Sequence, residues 1–137
     1  MTYWRITPMS ENTTDSDTDE SPAVSVLTNP TDIEIDDLDD WGPVPDMIEG
    51  ESQTAGTIIY KGPHGESESG IWTCTPGHWE CTVERDEFCH FLEGRATYTH
   101  ENGAVTEIEP GTIALFPAGW TGTCRVHETV RKVYMCR

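Results

Sequence analysis

From Thr57 to Cys136 apolar and polar residues alternate in short runs separated by Gly and Pro, and no stretch carries the spacing of an amphipathic helix. Nine runs favour β structure: 57–61, 70–73, 78–84, 87–93, 95–100, 104–108, 112–116, 122–127 and 130–136. Asn102-Gly103 predicts a two-residue type I′ hairpin, and Pro110-Gly111 and Pro117-Ala118-Gly119 mark further turns. Many short, evenly spaced strands predict an all-β antiparallel barrel or sandwich.

Upstream the pattern dissolves. Residues 1–30 have no hydrophobic periodicity and read as a disordered acidic arm, with Met9 a second candidate start. The barrel domain is expected over 31–137. Its leading segment, where Ile33 and Ile35 alternate with acids, predicts an edge strand or a strip lying on the barrel, anchored by Trp41.

Charge sharpens this division. Residues 1–50 carry thirteen acidic side chains and one basic one, whereas residues 51–137 carry only five of the seventeen net negative charges. Such a surface repels phosphates and anionic membranes, so neither nucleic acid nor membrane is an expected partner. The five cysteines, Cys74, Cys81, Cys89, Cys124 and Cys136, are odd in number and form no C-x-x-C pair. Neither a secreted disulfide framework nor a zinc knuckle is indicated by that pattern. With no membrane-length apolar stretch and no basic-then-apolar leader, a cytoplasmic location is the expectation.

Two spacings are specific. Glu87 is followed after six residues by Gly94, and Gly111-x5-Pro117-x-Gly119 comes next. These resemble the later part of the first cupin motif, G-x5-H-x-H-x3-4-E-x6-G, and the start of the second, G-x5-P-x-G-x2-H-x3-N. With Gly70-Ile71-Trp72, Pro76-Gly77, the run Glu87 to Gly94, Pro117 to Trp120 and Arg131 to Tyr134, residues 40–137 resemble single-domain cupins of the DUF861 group. That group is typified by (S)-ureidoglycine aminohydrolase domains and is similar to the ethanolamine-utilisation cupins. The resemblance implies a small antiparallel RmlC-like jelly-roll barrel and a homodimer. Such barrels pair through edge strands, and Ile33–Asp37 is a candidate for covering an edge.

In metal-binding cupins three histidines and a glutamate point into the barrel. Here the first-motif histidine positions fall on Cys81 and Val83, or on Glu80 and Thr82 with the longer spacing. Alternation selects the first pair, because Trp79, Cys81 and Val83 form an apolar face opposite His78, Glu80, Thr82 and Glu84. The second-motif histidine and asparagine positions are Gly122 and Val126. Glu87 alone survives, and one carboxylate does not hold a divalent ion, so no metal or other cofactor is expected.

Cys81, Cys89 and Cys124 share the inward parity of Glu87 and read as small core hydrophobes or as an alternative thiolate set for zinc. A buried Glu87 needs a cation, and Arg125, Arg131 and Lys132 are the candidates. The partnered carboxylate is either a structural ion pair or a general acid/base whose pKa is set by dry surroundings. Trp72, Trp79, Trp120 and Tyr134, with Phe91 beside them, are candidate pocket walls. The resemblance implies a small polar, nitrogen-rich ligand such as a ureido compound, with Glu87 as candidate catalytic residue. The alternative is a non-catalytic dimeric scaffold.

Overall fold

A computed structural model describes residues 22–137. Among these residues nine strands form: β1 (Asp39–Pro43), β2 (Met47–Glu49), β3 (Gln53–Lys61), β4 (Glu68–Cys74), β5 (Gly77–Thr82), β6 (Glu87–His100), β7 (Val105–Ile108), β8 (Ile113–Phe116) and β9 (Thr121–Cys136). Every ladder is antiparallel. The expected all-β cupin-type fold is the one present. No helix among the described residues is long and apolar enough to cross a membrane.

Two long strands organise the molecule. The first half of β9 pairs with β5 and its second half with β4, while β6 runs along its other side. In turn β6 pairs with β8 near its start and with β7 near its end. The strands thus make two sheets, β1-β3-β4-β9-β6-β8 and β2-β5-β9-β6-β7, which share β6 and β9. The core lies between them, with Trp72 of β4 meeting Trp79 of β5 edge-to-face at 6.4 Å.

The sequence pattern divides β6 and β9 into two strands each; in the structure each is continuous through a bend. Gly94 is the cause in β6. Its φ is +91°, and a Cβ there would sit 2.2 Å from the Thr129 carbonyl oxygen on β9. Only glycine allows the two strands to approach this closely while the register slips between Phe91 and Ala96.

Two other expectations need correction. The hairpin at Asn102-Gly103 is not type I′, because Gly103 takes a positive φ of +95° and Asn102 does not. Instead Gly103 N–H donates to His100 O at 2.8 Å, and the Asn102 side-chain oxygen accepts from Ala104 N–H. This is a longer loop stabilised by its own asparagine. Ile33–Asp37 is not a strand either: Ile35–Asp37 forms a single 3₁₀ turn closed by Asp37 N–H on Glu34 O. Consecutive aspartates are poor strand formers, and two isoleucines are too few to outweigh them. The edge is covered by β1 on β3, with Trp41 packed against the core as anticipated. Most of the arm expected to be disordered, 1–21, lies outside the described residues; 22–29 are exposed and without regular structure.

Candidate functional site

The inward faces of β4, β9 and β6 stack in register across the shared sheet. Glu68, Cys136 and Glu87 form one row, Gly70, Tyr134 and Cys89 the next, and Trp72, Lys132 and Phe91 a third. Alternation therefore sends two carboxylates, one ammonium and two thiols into the same apolar interior. From the other sheet Trp79, Cys81 and Cys124 point inward as well, and all three are fully buried. Cys81 and Val83 are buried whereas Glu80 is exposed, so the strand phase chosen from sequence is the phase in the structure.

At the centre, Lys132 Nζ lies 2.8 Å from Glu87 Oε2, and both side chains are sealed from solvent. The ammonium also stands 4.4 Å from the centroid of the Trp72 ring. Cys89 donates a weak S–H bond to the same Glu87 oxygen at 3.5 Å. Burial pushes the Glu87 carboxyl up from its ordinary value, and the charge of Lys132 opposes that shift. Burial also works against the Lys132 ammonium, yet its neighbours Cys89 and Glu87 leave its pKa above the ordinary lysine value.

Of the three cations proposed from sequence, only Lys132 meets Glu87. Arg131 instead binds Glu93 at 3.1 Å and the Pro30 carbonyl at 3.2 Å, while Arg125 reaches Glu49 at 3.0 Å. Parity on β9 carries the distinction: Cys124, Val126, Val130, Lys132, Tyr134 and Cys136 all share the buried face.

Tyr134 donates its hydroxyl at 2.7 Å to Glu68, a buried residue that the sequence reading missed. Lys61, half exposed, approaches the other Glu68 oxygen at 3.7 Å. Glu68 lies at the end of a polar run that reads as loop; its shared parity with Gly70 and Trp72 was the available signal.

Trp120 stands apart from the pair, half-buried, at the end of the barrel. It packs edge-on against Tyr98, Phe116 and His100 at 5.9, 5.5 and 5.4 Å. All five cysteines are free. Burial raises the thiols, Cys74 to about 12 and Cys136 to about 11, and Cys81, Cys89 and Cys124 upward too.

A divalent ion does not fit this interior. Among the described residues no three His, Cys, Asp or Glu side chains are grouped to hold one. At the second-motif histidine position a Cβ on Gly122 would lie 2.0 Å from the Thr99 carbonyl, so a ligating side chain has no room without moving β6. The charge that a metal would bring to Glu87 is supplied by Lys132.

The EutQ-like cupin domain matches residues 61–134, over half of the chain. No curated protein matches it. A DUF861-family protein of unknown function from Pseudomonas syringae superposes with a TM-score of 0.67 at 21% identity, over 73% of this chain and 44% of that one. The chain thus spans under half of that protein's length. A putative ethanolamine utilization protein Q from Salmonella typhimurium gives 0.54 at 21% identity, over 61% of this chain and 68% of that one. The cupin domain of Cnp3 from Schizosaccharomyces pombe gives 0.50 at 14%, over 61% and 63%. At these identities the likeness is one of fold.

Proposed function

Since the chain belongs to the EutQ-like cupin family, we propose that its barrel binds a small polar metabolite against Glu87 and Lys132 without a metal. The observation that carries this reading is the 2.8 Å ion pair enclosed by Trp72, Cys89 and Phe91. A carboxylate accepts N–H bonds and an ammonium donates to a carbonyl, so together they complement a ureido or similar nitrogen-rich group. In this dry setting Glu87, with its raised pKa, is the group suited to transfer a proton to or from such a ligand. Five free thiols support a reducing, cytoplasmic setting.

The test is a thermal-shift screen of ureides, amino acids, sugars and nucleosides on wild type and Glu87→Gln. A compound that raises the wild-type midpoint but not that of the variant is the expected result. The dense packing of Trp72, Trp79, Phe91 and Tyr98, all nearly inaccessible, favours a second reading in which the barrel is a non-catalytic scaffold. A screen without hits, alongside this filled interior, would favour the second reading over the first.

A further inference from the structure

On the outward face of the β3-β4-β9-β6-β8 sheet one row is hidden from solvent. Ala55, Thr73 and Arg131 are cross-strand neighbours there, and all three are buried. The chain ahead of β1 lies against them. Ile35 and Leu38 line a cleft with Ala55 and Thr73, and Thr31 to Asp36 line another with Arg131 and Glu93. Arg131 clips the start of this strip by donating to the Pro30 carbonyl at 3.2 Å. Followed towards the N-terminus, the strip crosses the sheet from β3 to β6 and ceases to cover it at Pro30.

Beyond that point both the face and the strip are bare. In the next two rows Ile113, Leu115, Phe88 and Met135 are between 45% and 62% exposed. In residues 22–29 Val24 is 86% exposed and Val26 71%. Asn29 joins the covering part to the bare part in the left-handed conformation, at φ +53°, which asparagine tolerates in turns. We infer that residues 22–29 are a strap that turns about Asn29 and closes over these rows, with Val24 and Val26 on Phe88, Met135 and Ile113.

Reach, charge and pattern select this occupant. From Arg131 to Met135 is about 13 Å along β9, whereas eight extended residues span about 26 Å. Residues 21–31 hold no charged side chain and the two rows hold no carboxylate, in a chain of net charge −17, so like charges do not meet at the contact. Val24 and Val26 alternate with Ser25, so an extended strap turns both valines to the sheet and the serine to water. The short tether also supplies an effective concentration in the millimolar range. Closed, the strap lies beside edge strand β8 and shields it from pairing with other chains.

Alkylation of single cysteines placed in the full chain tests the inference. The five native thiols are buried, so iodoacetamide at pH 8 reads the added one, located by mass spectrometry of peptides. Val26→Cys should react at least about tenfold more slowly than Ser25→Cys, because its reactivity follows the open fraction of the strap. Adding Phe88→Ser should bring the two rates together, and Leu115→Ser takes its place if circular dichroism shows that Phe88→Ser does not fold. A ratio below tenfold overturns the inference, as does protection that survives loss of the apolar face. Protection that disappears on dilution from about 50 to about 1 μM also overturns it, since a tethered contact does not depend on concentration. None of these outcomes depends on whether the barrel binds a ligand.

Discussion

Replacing Lys132 with methionine keeps most of the buried stem and removes the charge. Glu87, 3% exposed, then loses the ammonium that lay 2.8 Å away. A buried carboxylate that loses its neutralising charge takes up a proton. At pH 7, protonating a group with an ordinary value of 4.5 costs about 3.4 kcal/mol, at 1.36 kcal/mol per unit. That lies within the roughly 3–5 kcal/mol typical of breaking a buried ion pair. The same arithmetic gives about 0.7 kcal/mol at pH 5. The direction follows from linkage. In the variant the folded-state pKa of Glu87 lies above its unfolded value, so stability is retained below 4.5 and lost as pH rises. Urea unfolding followed by tryptophan fluorescence should therefore show Lys132→Met less stable than wild type by about 3 kcal/mol at pH 7 and by about 1 kcal/mol at pH 5. Adding Glu87→Gln should remove the pH dependence of the difference. A loss below about 1 kcal/mol at pH 7, or an equal loss at both pH values, would refute the reasoning.

The buried thiols make a separate prediction on the alkaline side. Their folded pKa values are raised above 9, so their contribution is present below pH 9 and lost from there up to the folded values, about 11 for Cys136 and about 12 for Cys74. Between pH 9 and 10.5 stability should fall by about 1.4 kcal/mol per pH unit for each thiol, a slope that Cys74→Ala lessens by one such increment. At pH 8 the native chain should react with a thiol-specific disulfide reagent only as fast as it unfolds, and rapid labelling of any one cysteine contradicts the burial. Gly94→Ala should cost at least about 2 kcal/mol, since it combines a positive φ with a backbone clash; a melting point within one degree of wild type would show that the bend does not depend on this glycine.

What was legible in sequence followed from strand parity. Alternation through Trp79, Cys81 and Val83 set the phase of β5, and the spacing from Glu87 to Gly94 located the inward carboxylate. Trp41 was recognisable as an anchor because a large aromatic in an acidic run has little other use. The partner of Glu87 stayed open among three cations because β9 was read as two strands, and parity was not carried across Glu128 and Thr129. Continued through, it places Lys132 on the core face and Arg125 and Arg131 on the opposite one, where Arg125 is exposed and Arg131 is buried against Pro30 and Glu93. Glu68 escaped notice because a polar run looks like loop until its neighbours in the sheet are known. The turn at Ile35–Asp37 failed for a different reason, since local backbone hydrogen bonding overrode a two-residue alternation.

The central claim is that a lysine ammonium, not a metal ion, neutralises the glutamate inside this barrel. Only two lysines occur, Lys61 and Lys132, so side-chain ¹⁵N NMR of lysine-labelled protein gives two assignable signals. The account predicts that the Lys132 signal keeps its ammonium shift, with slowly exchanging protons, through pH 10.5, and that it moves in Glu87→Gln. A Lys132 amine that titrates below 10.5, or that is indifferent to loss of the Glu87 charge, would contradict it.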